Sequence, residues 1–489
     1  MIYFDNAATS YYRPSCVKEA VAEAIENFGN PSRGAYGASL DADRCLFETR
    51  LQLADLFGAD GPDCVSFTMN DTHALNEAIF GVGLGPGDHM IVSLQEHNSV
   101  LRPAYRLREC GVEVHFTGLK KDGTFDIDDY RRILEEIRGE AAPEFFSAQK
   151  PRVVTALTQG SNVTGNLIDL KAVSQLCKTY RSLLIIDAAQ TAGIVPINMK
   201  EDGIDILCMS GHKALMGPQG TGAIIVRRGL LEPNAVGREI ASNRDVKSDE
   251  VSRDLAGRIL QLSPLMVGGS GIKTFLETMP EDMPARLEAG TQNAHSIAGL
   301  HAALSFAEGK REEWRQQEMR LKKLFLCGIR SINEEANKKN LCYGSKDDMC
   351  EHDLRSGNQE QGVVHMDREV SGEVIHIYGN PEAEASLPTV AFNIRGFEAG
   401  DIADRLWRDK EIAVRAGGHC APLIHKFFGT ERRGIVRASF SHFNTEEQVE
   451  VLVEELRSIA RQIGSGQEPP AEDIIDREKS AKQETRIRR

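Results

Sequence analysis

Leu183-Leu-Ile-Ile-Asp187-Ala-Ala-Gln190 sets four aliphatic residues in a row and closes them with an acid. A run this short and apolar reads as a central parallel strand buried on both faces, and its carboxyl end is where open α/β sheets bind ligands. Further along, Asp205-Ile-Leu-Cys-Met209 reads as a second buried strand. It leads into Ser210-Gly-His-Lys213 and the glycine-rich Gly217-Pro-Gln-Gly-Thr-Gly222. A lysine at the end of an apolar strand, fenced by Ser, His and glycines, has a chemical use. Desolvation and nearby cations lower its pKa, so its amine can condense with a carbonyl.

The pattern around these strands is α/β from about residue 15 to 230. Helical spacing predicts helices over 15–27, 40–57, 73–82, 100–109 and 170–180. Strands are expected over 64–68, 89–93, 113–116, 152–157, 183–187, 206–209 and 222–226. Residues 296–308 and 312–333 read as further helices. Strands at 389–393, 412–415 and 435–440 precede a last helix over 445–463, which opens with the capping box Thr445-Glu-Glu-Gln448. Residues 464–489 carry no core pattern and read as a disordered tail. The expected organisation is an N-terminal segment (1–20) packing with a small domain, then a large domain (21–295) and the small C-terminal domain itself (296–463). Two stretches, about 233–262 and 343–386, look inserted.

The 489 residues are 41% hydrophobic and 27% charged, with a net charge of −14. That balance fits a globular enzyme-sized protein and offers no phosphate-tracking basic face, so no nucleic-acid partner is expected. Neither a bilayer-length apolar run nor a signal peptide is visible, which predicts a cytoplasmic protein with no membrane partner. Ten cysteines lie scattered without a CxxC pair, so no metal site is expected.

Asp187 and Lys213 together fit the pyridinium partner and Schiff-base lysine of pyridoxal 5'-phosphate. A carboxylate beside the ring nitrogen keeps it protonated and makes the ring an electron sink. With Tyr3-Phe-Asp-Asn-Ala-Ala-Thr9 and the motifs below, the chain resembles the class V aminotransferase family of fold-type I enzymes. The resemblance is strongest to the cysteine desulfurase and selenocysteine lyase branch. It implies a large domain with a mainly parallel, seven-stranded sheet flanked by helices, plus a smaller α+β domain carrying a catalytic cysteine.

The resemblance also implies site roles. In Thr68-Met-Asn-Asp-Thr72-His73, at a strand-to-helix turn, Thr72 and His73 would hold the cofactor phosphate, His73 through its backbone N–H, with Ser210 and His212. His97, in Ser93-Leu-Gln-Glu96-His97, would stack on the ring and move protons. Asn162 and Gln190 would reach the ring hydroxyl, and Asn162 the substrate. Thr291, in Glu288-Ala-Gly-Thr291, would reach the phosphate of a neighbouring subunit, which implies a homodimer. Arg437, with Arg415, would bind the substrate carboxylate. Cys420, in Arg415-Ala-Gly-Gly-His419-Cys420-Ala-Pro422, would be the nucleophile, its thiolate favoured by Arg415 and the adjacent His419.

These roles imply conversion of L-cysteine to L-alanine, with a persulfide on Cys420 that passes to an acceptor protein. The stretch Ala421-Pro-Leu-Ile-His425 and the two insertions depart from compact desulfurases. Selenocysteine as substrate, a lyase or aminotransferase not needing Cys420, and a catalytically inactive scaffold remain alternatives.

Overall fold

The computed structural model describes residues 1–31, 34–139, 151–230, 262–338, 373–383 and 385–462. The expected tail and nearly all of the first expected insertion lie outside them, and of the second only 373–383, 385 and 386 are described.

A short strand β1 (Ile2–Tyr3) leads into helices α1 (Ser15–Asn27) and α2 (Gly37–Phe57). A seven-stranded sheet then forms from β2 (Val65–Thr68), β3 (His89–Ser93), β4 (Glu113–Thr117), β5 (Val153–Thr158), β6 (Leu183–Asp187), β7 (Ile206–Ser210) and β8 (Gly222–Val226). Its order is β2-β8-β7-β6-β5-β3-β4, and β8 alone runs against its neighbours. Strands β5 to β8 are buried along their whole length, as expected of a sheet covered on both faces. The connecting helices are α3 (Asp71–Gly81), α4 (Asn98–Glu109), α5 (Ile127–Arg138) and α6 (Leu170–Thr179). Helix α5 was not foreseen, although Asp126 caps it and Tyr130, Ile133 and Leu134 are buried at helical spacing. The carboxyl ends of β2, β3, β5, β6 and β7 therefore open on one side of the sheet, and the candidate site forms there.

Helix α7 (Ala294–Ala307) packs into the core of the large sheet, contributing Ile297, Leu300 and Leu304. The 28-residue helix α8 (Arg311–Lys338) then carries the chain to a second core. There β9 (Ile375–Tyr378), β10 (Thr389–Ile394), β12 (Arg415–Gly417) and β13 (Ile435–Ser439) form an antiparallel sheet in the order β12-β13-β10-β9. It is covered by α8, α9 (Ala399–Lys410) and α11 (Glu446–Arg461), while α10 (Pro422–Phe428), unforeseen, follows Cys420 directly. The single strand expected over 412–415 is two pieces, because β11 (Ile412–Ala413) leaves this sheet to pair in parallel with β1. The capping box at Thr445 and Gln448 is formed.

The N-terminal segment ties the two cores together. Phe4 is fully buried among residues of the second core. A few residues later the chain straps the Lys213 turn: Ser10 Oγ donates to the Lys213 carbonyl at 2.6 Å, and Arg13 Nε to that of Gly217 at 3.1 Å.

Candidate active site

A cavity of about 80 Å³ lies at the carboxyl ends of the strands, lined by Asp71, Thr72, His97, Asn162, Asp187, Gln190, Ser210, His212 and Lys213 among others. Eight of the residues singled out in the sequence meet here, brought together from five separate loops. Asp187, at the end of β6, is buried, and its Oδ1 accepts the backbone N–H of Ala189 at 2.8 Å. Lys213 faces it from the turn after β7. Burial pushes the amine down, and the charges of Asp71 and Asp187 pull it back up.

Asp71 has no role in the sequence reading, which assigns this turn to phosphate binding through Thr72 and His73. The cap is Asn70, whose side chain accepts the His73 N–H at 2.9 Å. Asp71 sits one residue inside the helix and is buried against Asp187, with a side-chain hydrogen bond between the two carboxyls. Two buried carboxyls in contact cannot both ionise cheaply. Burial first, and then the Asp187 charge, push the Asp71 pKa far up, so Asp71 holds the proton and donates it to Asp187.

The phosphate-contact expectations change in detail. The His73 N–H is occupied by Asn70, so it cannot serve a ligand. The ring of His73 accepts from the Met69 N–H at 3.2 Å and lies 3.5 Å from buried Glu77. Thr72 lines the cavity, but its hydroxyl is engaged with Ser99 Oγ at 2.8 Å. Ser210 Oγ is buried with no partner among the described residues. His212 shares its Nδ1 with Thr9 Oγ1 at 2.9 Å, and burial lowers it to about 4, so it is neutral.

His97 caps α4 through its ring. Nδ1 accepts the Ser99 N–H at 3.1 Å and lies 2.8 Å from Ser99 Oγ, which assigns the proton to Nε2. Burial, then Lys213 and Arg415, lower its pKa to about 4. Glu96, next to it, is fully buried. It accepts from Ser93 Oγ at 2.5 Å and from the Thr158 N–H at 2.8 Å, and burial pushes it up to about 8. It clamps the ends of β3 and β5 together.

Over the cavity lies the loop that carries Cys420. Asn162 Nδ2 donates to the His419 carbonyl at 2.8 Å, and the Asn98 N–H to the Cys420 carbonyl at 2.7 Å. His419 and Cys420 are both left-handed, with φ of 47° and 57°, which side chains with a Cβ rarely adopt in succession. Cys420 is exposed. The expected electrostatic help from His419 is absent: its Nε2 donates to the Ile435 carbonyl at 2.9 Å, and burial holds it down at about 3.

Arg437 is buried in β13 beside exposed Arg415, its partner in register. It is already paired, to Asp5 Oδ1 at 2.7 Å and the Asn162 carbonyl at 2.8 Å, and its Nε lacks a partner among the described residues. Gln190 Nε2 donates to the Ala7 carbonyl at 2.9 Å. Thr291 is outside the cavity, in an adjoining groove of about 690 Å³ that includes His73 and His212. Glu288 anchors that loop, holding the Phe67 N–H and Arg50 at 2.7 Å each.

The profile of the class-V aminotransferase family matches residues 2–247, 251–348 and 365–452. The chain belongs to this family. A probable cysteine desulfurase of Methanothermobacter thermautotrophicus is 29% identical over 463 residues, covering 94% of each chain. The solved structure of a cysteine desulfurase from Thermococcus onnurineus superposes with a TM-score of 0.73 at 26% identity, over 94% of this chain and 95% of that one. The Escherichia coli cysteine desulfurase CsdA shares the fold, with a TM-score of 0.68 at 24% identity, covering 94% of each. Within this class-V chain the seven-stranded, mainly parallel sheet is as the resemblance implied. Among the described residues, no helix is long and apolar enough to cross a membrane.

Proposed function

We propose that this class-V protein is a pyridoxal 5'-phosphate-dependent cysteine desulfurase that takes L-cysteine to L-alanine and leaves a persulfide on Cys420. The observation that carries the reading is the meeting of Lys213, Asp187 and His97 in one cavity, with the Cys420 loop tied over it by Asn98 and Asn162.

The residues present fit the cofactor. Ser210 Oγ is a buried hydroxyl lacking a partner, and helix geometry leaves the amides of Asp71 and Thr72 unpaired at the start of α3. Together with His212 they suit a phosphate. Asp187 would hold the ring nitrogen, Gln190 and Asn162 the ring oxygen, and Lys213 the carbonyl carbon. When bound, the group supplies an electron sink for the bonds at the substrate α-carbon.

The chain's own residues do the rest. Arg415, exposed beside the cavity, and the unpartnered Nε of Arg437 bind the substrate carboxylate. Lys213, its pKa lowered by burial, takes the α-proton. The Cys420 thiolate attacks the substrate sulfur, forming the S–S bond. The C–S bond breaks with its electron pair on the β-carbon, which is protonated to the methyl group of alanine. His97, with its proton on Nε2, lies in the same cavity to move protons between these positions.

Two copies assemble in this reading. Val267, Phe275 and Leu276 are more than half exposed near the Thr291 loop, an apolar surface suited to a second copy, where Thr291 would meet the neighbour's phosphate. The persulfide then passes to an acceptor protein. Incubating protein loaded with the cofactor with L-cysteine tests the reading. Wild type should yield alanine and a persulfide at Cys420, while Cys420→Ala should bind the cofactor and release neither. Full cysteine turnover in that variant would retire the persulfide reading in favour of a lyase.

A further inference from the structure

At the opposite end of the sheet from the candidate active site, β3 and β4 present a cluster that the proposed reaction does not use. Their parallel register sets His89 against Glu113 and Ile91 against His115. Alternation along a strand puts Glu113 and His115 on one face of β4, and His89 on the same face of β3. His89 Nδ1 is 3.0 Å from His115 Nε2 and 3.6 Å from Glu113 Oε2, and one donor atom from each of the three lies within 4.8 Å of the others.

We propose that His89, Glu113 and His115 form a binding site for a borderline divalent transition cation, with Zn²⁺ the best match. Around a tetrahedral ion with bonds of about 2.0–2.1 Å, neighbouring donor atoms stand roughly 3.3 Å apart, and the observed 3.0 and 3.6 Å bracket that value. One hydrogen bond explains why two imidazoles touch. It does not require a carboxylate converging on the same nitrogen. Two imidazoles and one carboxylate suit zinc and its neighbours rather than Ca²⁺ or Mg²⁺, which take oxygen sets. A water would complete the shell.

Binding needs no oxidant and no net proton loss. The proton shared by the two rings moves to the far nitrogen of one ring, which leaves both facing nitrogens as lone-pair donors. Other charged groups nearby are committed or peripheral: Asp88 pairs with Arg152 at 2.6 Å, Arg138 donates to backbone carbonyls of the α6–β6 turn, and Glu136 lies on α5. Since β4 is the edge strand of the large sheet, the ion would pin it to β3. Sequence reading, which expects no metal site, does not find this cluster because its ligands come from two strands that pair only on folding.

The test uses full-length, metal-stripped protein carrying Cys110→Ala, Cys327→Ala and Cys420→Ala, which removes the three exposed thiols among the described residues as rival soft ligands. Titration with Zn²⁺ should show one site per chain of micromolar or tighter affinity, and Co²⁺ in its place should give intense visible absorption. Adding His115→Ala should weaken Zn²⁺ binding at least tenfold, and Zn²⁺ should then no longer raise the thermal midpoint. If that variant does not fold, Glu113→Ala at an exposed position serves, with a smaller loss expected. Equal Zn²⁺ affinity and stoichiometry in the parent and in the His115 or Glu113 variant would overturn the site.

Discussion

Replacing Asp71 by Asn tests the shared proton directly. The amide keeps a donor toward Asp187 but has no proton to lose. In the wild type, Asp71 is protonated when folded, because burial and the Asp187 charge raise its pKa, and ionised when unfolded at pH 7. Unfolding at pH 7 therefore releases about one more proton per chain from the wild type than from Asp71→Asn. The sign of the linkage follows. A raised carboxyl stabilises the fold below the unfolded pKa, and that contribution is lost as pH rises toward the folded one. Across that window the wild type loses about 1.4 kcal/mol per pH unit relative to the variant. Guanidinium unfolding of cofactor-free protein, in weak buffer with a pH indicator, counts the proton, and midpoints at successive pH values give the slope. Equal proton release and parallel stability curves would refute the shared proton and mean that Asp71 is ionised in the fold.

Three further outcomes are expected. Asp5→Asn leaves the buried Arg437 guanidinium without its counter-charge and should cost about 3–5 kcal/mol in urea unfolding, with substrate KM altered as the arginine reorients. Lys322, whose Nζ donates to Ser386 Oγ at 2.8 Å and the Leu387 carbonyl at 2.7 Å, is lowered by burial to about 7. Its contribution is complete above the unfolded lysine range and lost as pH falls toward 7, so wild type should gain about 1.4 kcal/mol per pH unit over Lys322→Met between pH 7 and 10. Asn162→Ala removes one tie on the Cys420 loop, worth about 1 kcal/mol, and should slow persulfide formation about fivefold in single-turnover assays while leaving the protein folded.

Buried sheet strands are the most legible part of this sequence. Leu183–Asp187 and Gly222–Val226 were found to the residue because continuous aliphatic runs need no partner to be recognised. Lys213, Asp187 and His97 were legible for a related reason, since each stands at the end of such a strand. What escaped depends on distance in the chain. Asp71 becomes unusual only because Asp187 lies against it, and Arg437 is taken by Asp5 from 432 residues away. His419 reads as a cation beside the thiol until the fold turns its ring toward the Ile435 carbonyl. Helix α5 is different: its Asp126 cap and apolar spacing were in plain view.

The ties on the Cys420 loop have a consequence for timing. One of them ends on Asn98, the first residue of α4, whose cap is the ring of His97. In the proposed reaction, a sulfur carried on Cys420 reaches an acceptor only when both the Asn98 and Asn162 hydrogen bonds open, at roughly 1 kcal/mol each. The docked loop is thereby favoured about thirtyfold over the extended one. Opening also loosens the helix start that orients His97. Loading and delivery in that proposed reaction thus draw on the same two hydrogen bonds, so the molecule would not be fully poised for a second substrate while handing over its first sulfur.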